Sequence, residues 1–263
     1  MTRVAVAARR PPMTIRLRLT IYWAAVLAVI LLVAAIAIAG LAVAFPIGIG
    51  LALVIGSVLN YIITPKGNPL LLFGGIILVC VAIVLDALAY RKLAKDLTVS
   101  TKGIVISLLA GLGMGLFYPF VAKALTGENH LGPYTVGFVF AIGALVCTIP
   151  LNYIFMRKPV SGASVSMSDY FRGSGALHFW GILGGMIWGV GTISNFVASY
   201  TQMVGPATSY ALGQGATMVS AIWSVFVWKE FAGAGASAKR LLALMFSFFI
   251  VGLACVALAP VVR

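Results

Sequence analysis

Charge is scarce in this chain of 263 residues: charged residues make up 9% of the sequence, and only 5 residues are Asp or Glu. A soluble domain carries about 25% charged residues, so this composition excludes a soluble globular protein. Cysteine is also rare. Cys80, Cys147 and Cys255 each lie in an apolar stretch without a CxxC pair. Neither a disulfide framework nor a zinc site is therefore predicted.

Catalytic signatures are missing as well. The sequence contains no HExxH, GxSxG, P-loop or dinucleotide-binding glycine motif. An enzyme working inside a membrane needs a nucleophile or paired acids at depth, and the apolar stretches offer neither. His130 and His178 fall at the edges of these stretches, where they make a poor metal site. The sequence therefore predicts a protein that is not an enzyme and has no cofactor or metal.

Long apolar stretches dominate the sequence, which is 62% hydrophobic with a mean hydropathy of +1.11. A membrane-spanning helix needs about 20 mostly apolar residues. We therefore predict an all-α polytopic protein embedded in a lipid bilayer, with about 8 transmembrane helices. The predicted spans cover about 19–42, 46–64, 70–90, 103–125, 133–156, 178–200, 205–228 and 241–260. The 29 glycines and 11 prolines fit a tightly packed helical bundle.

The net charge of +13 comes from basic residues in the short breaks between apolar stretches, which argues against nucleic acid as a partner. The loops 91–102, 157–177 and 229–240 hold four, three and three of them. The positive-inside rule predicts that these loops are cytoplasmic in a multi-pass protein of the plasma (inner) membrane. With eight spans, the five-arginine segment 1–18 would then lie outside, against the same rule. We therefore expect that the first span does not cross, that the count is off by one before residue 64, or that the start is truncated or degenerate and not the natural one.

A weak internal repeat is visible in two glycine pairs. Gly48-Ile-Gly50 and Gly213-Gln-Gly215 lie 165 residues apart, and each is predicted to open an apolar helix. Helical transporters are commonly built from such repeats. The predicted organisation is a basic segment 1–18, a partial first repeat of three spans at 19–90, a cytoplasmic basic loop at 91–102 and a second repeat of five spans at 103–263.

Three stretches resemble a known family. Trp228-Lys229-Glu230 followed by a helix with Gly252 is similar to the closing helices of the drug/metabolite transporter superfamily. The glycine-rich stretch 181–195 resembles the eighth helix of ureide permeases and glucose/rhamnose-type permeases, and Gly56-Ser-Val-Leu-Asn-Tyr61 resembles the fourth helix of ureide permeases. The resemblance implies a transporter with five plus five helices. Counted from the C-terminus, the first two helices would be absent here.

Polar side chains within the predicted spans recur at helical spacing, and such groups are costly in a bilayer unless they meet a partner or a cavity. Amides and aromatic rings suit a small, neutral, polar substrate such as a ureide, a nucleobase or a sugar. The alternative is that these groups join helices to one another. The predicted substrate-binding residues are Trp188, Thr192, Asn195, Tyr210, Gln214, Thr217, Tyr118 and Asn60.

Asp86 is an acid inside a predicted span, which makes it a candidate for proton coupling. It lies about one turn before Arg91, so a pairing at the membrane surface is the alternative. The predicted function is a secondary transporter working by alternating access. Two other functions stay open: a truncated half-carrier that needs a second copy or a partner chain, and an exporter of drugs or metabolites with a more apolar pocket.

Overall fold

The described part of the protein is entirely helical wherever it has regular secondary structure. The computed structural model describes residues 41–93, 101–126, 130–159, 162–201 and 203–262, with side chains from Ile47 onward. The predicted first span at 19–42 lies almost wholly outside these ranges. The helices are α1 (Leu41–Ile63), α2 (Pro69–Leu93), α3 (Thr101–Thr126), α4 (Pro133–Arg157), α5 (Met167–Phe171), α6 (Gly175–Tyr200), α7 (Pro206–Gly213), α8 (Ala216–Ile222) and α9 (Ala236–Leu258), and a π-helical segment, Trp223–Val227, follows α8.

Six of these stretches are long and apolar enough to cross a membrane: α2, α3, α4, α6, α9 and the combined stretch Pro206–Val227. α1 adds a shorter apolar helix, Ile47–Ile63. The prediction of an all-α membrane protein is therefore confirmed. Where the sequence predicted about 8 spans, the described residues contain 6 and one shorter apolar helix.

The start of α1 differs from the prediction. Pro46 was expected to open a helix, but helical backbone already runs from Leu41, so Pro46 lies inside it. Membrane helices tolerate internal proline because neighbouring groups satisfy the freed carbonyl. Gly48 also lies inside α1, where its backbone packs on α3. A Cβ atom placed on Gly111 would lie 2.5 Å from the Gly48 carbonyl oxygen, so Gly111 permits this close approach.

α2 packs along α9 through a reciprocal glycine contact. A Cβ atom on Gly75 would lie 2.6 Å from the Gly252 oxygen, and one on Gly252 would lie 2.8 Å from the Gly75 oxygen. Each glycine also abuts a valine of the other helix, Val256 or Val79. Small residues let helix backbones approach closely inside a membrane. A glycine therefore permits close backbone packing on each side of the α2–α9 contact.

Contacts between helix ends show which connections lie at the same end of the bundle. Lys66 packs against Gly205, and the backbone N–H of Asn68 donates to the Ala259 carbonyl at 2.7 Å. The His130 and Tyr200 rings lie 5.7 Å apart. These contacts gather the α1–α2 and α3–α4 connections and the end of α6 at one end of the bundle. The flanks of the three basic loops, 91–93, 157–159 and 229–235, consequently lie at the opposite end.

Candidate functional site

An amide side chain joins three helices of the bundle. The Tyr118 hydroxyl of α3 donates to Oδ1 of Asn195 on α6. Nδ2 of Asn195 donates to the backbone oxygen of Ser209 on α7 at 2.7 Å, and Oγ of Ser209 donates to the backbone oxygen of Asn195 at 2.8 Å. Inside a membrane such paired groups hold helices in register. The side chain of Asn195 keeps one further N–H for another acceptor.

Aromatic rings extend from this network toward the surface of the bundle. The Tyr118 and Tyr210 rings have centroids 4.8 Å apart, and Phe196 lies 6.2 Å from Tyr118. Phe140 of α4 meets Phe196 edge to face at 5.9 Å and lies 5.9 Å from Trp188. Trp188 is 57% exposed, whereas the other four rings are buried. The series therefore forms a wall with a buried inner end and an open outer end.

The sequence predicted an unbroken span at about 205–228. In the structure the stretch Pro206–Val227 breaks at Gln214 and Gly215, between α7 and α8. Gly213 lies against Asn195, since a Cβ atom there would be 3.0 Å from Nδ2. The Thr217 hydroxyl donates to the Gln214 backbone oxygen at 2.7 Å. The hydrogen bonds that the described residues make with Gln214 all involve its backbone. Its amide side chain is thus left for a ligand or for water.

The hydroxyl group of Tyr210 ties α7 to two other helices. It donates to the carbonyl oxygens of Ala52 at 3.2 Å and Met114 at 3.1 Å. A Cβ atom at Gly56 would collide with the Tyr210 ring, so glycine is required at that point of α1. The Tyr210 side chain is thus a structural part of the wall as well as a candidate ligand contact.

Tyr210→Phe should lower the free energy of unfolding by about 1–2 kcal/mol, because the ring stays while its hydrogen bonds to the Ala52 and Met114 carbonyls are lost. Tyr134→Phe, at a side chain that is 70% exposed, is the matched control and should leave stability unchanged. Thermal unfolding of both variants in detergent measures the difference. Equal stability of the two variants would show that the bonds of Tyr210 contribute nothing.

The structure brings some of the predicted substrate-binding residues together and separates others. Tyr118, Asn195 and Tyr210 are in direct contact, and Gln214 and Thr217 lie at the adjoining helix break. Thr192 lies about one turn from Asn195 on α6, and its hydroxyl donates to the backbone oxygen of Trp188 at 2.9 Å. This position leaves both Thr192 and Trp188 on the wall side of α6.

Asn60 is apart from this group. It is fully buried, and its Nδ2 donates at 2.6 Å to the carbonyl of Gly56, the residue on which the Tyr210 ring packs. Its Oδ1 is buried without a hydrogen-bond partner among the described residues, as is Oγ of Ser57. A role of Asn60 in substrate binding stays a prediction.

Asp86 lies in α2, in the half of the bundle that carries the basic loops. Its Oδ1 is buried without a hydrogen-bond partner in the described part of the chain. One turn further along α2, the Tyr90 hydroxyl donates to Oε2 of Glu230 at 2.8 Å. Oγ of Ser224 donates to the same oxygen at 2.5 Å and lies 2.7 Å from the Tyr90 hydroxyl. Ser224 belongs to the π-helical segment, a rare geometry that is frequent at functional sites.

Sequence reasoning missed Ser209, Phe140 and Phe196. Ser209 precedes Tyr210 and faces a different helix, so it falls outside the polar stripe that singled out Tyr210 and Gln214. Phe140 and Phe196 are apolar residues among many, and only the packing of α4 on α6 brings them to the wall. The Tyr90–Ser224 contact joins residues 134 positions apart, and no spacing in the sequence indicates it.

No group of three or more His, Cys, Asp or Glu side chains that could hold a metal ion occurs within the described ranges. The three cysteines are free thiols, with Cys147 buried. The chemistry available at the wall is therefore hydrogen bonding and aromatic contact.

A multi-pass helical bundle with a broken span and no catalytic constellation in its described part has the features of a membrane carrier. Comparison with known proteins agrees: the sequence profile of the ureide permease family matches residues 97–259, more than half of the chain. This chain belongs to the ureide permease family, and thereby to the drug/metabolite transporter superfamily. It is a permease-family protein and not an enzyme.

The chain is similar to several relatives. It is 29% identical to Ureide permease 1 of Arabidopsis thaliana over 160 residues, which cover 58% of this chain and 40% of that protein. It is 30% identical to Ureide permease 4 of the same plant over 59% of this chain and 39% of the relative. Transmembrane protein 144 homolog B of Dictyostelium discoideum is 27% identical over 57% of this chain and 38% of the relative. The matches thus span about two fifths of the relatives' length, and no solved structure matches the chain significantly.

Proposed function

We propose that this protein is a secondary transporter that moves a small, neutral, polar solute across the membrane by alternating access. The solute pocket is formed where α3 and α6 meet the break between α7 and α8. Its residues are Tyr118, Trp188, Thr192, Asn195, Ser209, Tyr210, Gln214 and Thr217.

The observation that carries this proposal is the broken span. Transporters place solute sites near the middle of the membrane, at helices whose backbone is interrupted. Here the interruption falls at Gln214 and Gly215, near the middle of Pro206–Val227, and it lies beside Asn195. The amide of Gln214 is not used by the described residues, and one N–H of Asn195 is unassigned, so both can meet a solute.

The chemistry of the pocket favours a neutral solute that combines hydrogen-bonding groups with a flat face. None of its side chains carries a formal charge near neutral pH. Amides supply donors and acceptors together, and the exposed ring of Trp188 offers a flat surface. A ureide matches this pattern and the names of the ureide permeases to which the chain is similar, and a nucleobase matches the pattern equally. A hexose has the polar groups but no flat face, so we place sugars behind the other two.

Coupling to protons is the second part of the proposal, with Asp86 as the proton-carrying group. An acid in a spanning helix is costly and is retained for function. Its Oδ1 is buried without a hydrogen-bond partner among the described residues. The neighbouring bonds of Tyr90 and Ser224 to Glu230 link α2 to the end of the broken span. A change in charge at Asp86 can thereby reach the helix that lines the pocket.

The wider arrangement proposed is two repeats, with α1 and α2 belonging to the first and α3 to α9 to the second. The reciprocal contact of Gly75 and Gly252 supports it, because equivalent last helices of two repeats would meet in this symmetric way. The basic loops would face the cytoplasm, as the positive-inside rule predicts.

A change at Gln214 tests the pocket. Solute binding raises the melting temperature of the folded protein, so a panel of allantoin, uracil and glucose can be screened with purified protein. Gln214→Ala should weaken the binding of the stabilising solute about tenfold, the loss expected for one or two hydrogen bonds. The melting temperature of this variant without solute should stay unchanged, since the Gln214 side chain makes no hydrogen bond to the described residues.

Asn152→Ala is the matched control, because Asn152 is an exposed amide in α4 away from the wall. It should bind the solute like the unchanged protein. Equal affinities in Gln214→Ala, Asn152→Ala and the unchanged protein would remove Gln214 from the site. Stabilisation by cationic dyes, without any by the three solutes, would instead favour the exporter.

A partner-dependent carrier is the second candidate function, and the bare face of α6 favours it. Gly181, Gly185 and Gly189 share one side of this helix, and a Cβ atom at any of them would meet nothing within 4 Å. Such a surface suits close packing by another helix. A detergent-corrected solution mass equal to one chain, together with transport by that species, would exclude this candidate.

A further inference from the structure

The connection between α4 and α6 is tied to both of the helices that it joins. The backbone N–H of Val165 donates to the Met156 carbonyl at 2.9 Å, which ties the connection to the end of α4. Its far end is held by the Tyr170 ring, which meets His178 edge to face at 5.1 Å. His178 lies in the first turn of α6. The short helix α5 is therefore held level with the point where α6 enters its spanning stretch.

Large aromatic side chains stand exposed on this level. Tyr170 and Phe171 of α5 are 57% and 73% exposed, and Phe179 and Trp180 of α6 are 59% and 65% exposed. Four such rings at one level form an apolar surface that water disfavours. Tyrosine and tryptophan collect at the boundary between lipid and water, because each combines an apolar ring with a polar group.

The charges on the same connection are mostly positive. Arg157, Lys158 and Arg172 are exposed, and the one acid is Asp169. The backbone N–H and the hydroxyl of Ser166 donate to Oδ2 of Asp169 at 2.8 and 2.7 Å, forming a capping box at the start of α5. These hydrogen bonds hold the pKa of Asp169 below its usual range, the backbone one contributing most. The cap is therefore intact at neutral pH and is lost only as the pH falls through that lowered value.

We propose that α5 and the first turn of α6 form a docking surface for anionic phospholipid headgroups of the adjoining leaflet. The exposed rings of Phe171 and Trp180 enter the boundary region of the bilayer, while Arg172 and Lys158 contact the phosphate groups. Exposed rings and cations within one short stretch of chain, where α6 begins its span, match an anionic lipid, which combines acyl chains and a negative headgroup. Through these lipid contacts α5 fixes the position of the start of α6, the helix that carries Asn195, relative to the membrane.

Hydrogen exchange of the peptide 162–174 tests this docking surface in the full chain. The protein is reconstituted in nanodiscs of phosphatidylcholine alone and in nanodiscs enriched in phosphatidylglycerol. Exchange should be several-fold slower in the anionic bilayer. Each cation near an anionic surface favours binding about fivefold, so the double variant Lys158→Gln, Arg172→Gln should lose most of that slowing.

The matched control is Lys239→Gln, Arg240→Gln, which removes two exposed charges at the same end of the bundle but away from the aromatic rings. This control should keep the lipid-dependent slowing. Identical exchange in the two bilayers would overturn the proposal. So would slowing by inorganic phosphate in the neutral bilayer, which would identify a free anion as the ligand, or protection that needs an added protein.

Discussion

Asp86→Asn is expected to abolish accumulation of solute against its gradient while leaving solute exchange across the membrane intact. The asparagine keeps the size and the polar character of the side chain but cannot take up and release a proton. Exchange does not need a net proton movement, whereas accumulation does. The measurement is solute uptake into proteoliposomes with and without an inward proton gradient, beside exchange in the same vesicles.

Asp169→Asn is the control for this change, since Asp169 is an exposed acid outside the spans. It should accumulate solute normally. Retained exchange in Asp86→Asn shows that the variant is folded and inserted, so a loss of accumulation cannot come from misfolding. Full accumulation with an unaltered pH dependence would return Asp86 to a surface role beside Arg91.

Gly252→Val is expected to have the largest effect on stability. The added side chain would start 2.8 Å from the Gly75 carbonyl oxygen and 2.9 Å from a methyl group of Val79. The first of these neighbours is backbone, so α2 and α9 would have to move apart along their contact. Overpacking of this kind costs about 1–3 kcal/mol and sometimes more. We expect a much lower yield of monodisperse protein and a clearly lower melting temperature.

Gly74→Val is the matched control, because a Cβ atom there meets nothing within 4 Å although Gly74 adjoins Gly75 in the same helix. Both variants replace a helical glycine with the same β-branched residue, so intrinsic helix propensity cancels in the comparison. Equal melting temperatures for the two variants would show that the α2–α9 contact tolerates separation. The reciprocal change Gly75→Val should behave like Gly252→Val.

The parts of the fold that the sequence predicts well are those set by composition and helical period. Long apolar stretches indicated the spans, and polar residues three or four positions apart correctly placed Tyr118, Asn195 and Tyr210 on faces that meet. The pair Gly213 and Gly215 drew attention to the right position. It was interpreted as the start of a helix because glycine spacing alone does not distinguish a helix start from a break within a span.

The parts that the sequence could not predict depend on contacts between distant residues. Asn60 has the same residue type as a pocket residue, yet its amide donates to the Gly56 carbonyl of its own helix, next to the Tyr210 ring. The bonds of Tyr90 and Ser224 to Glu230 depend on the π-helical segment, which no pattern in the sequence indicates. Periodicity gives the face of a helix, whereas the partner on that face follows from the fold.

We propose that this chain carries a small, neutral, polar solute across a membrane. Counterflow tests it most directly: purified protein in liposomes preloaded with unlabelled allantoin or uracil is diluted into a trace of the labelled solute. A carrier produces a transient accumulation of label, and Gln214→Ala should require a higher solute concentration to produce it. No accumulation of either solute, by protein shown to be folded and inserted, would contradict the claim and favour the partner-dependent carrier.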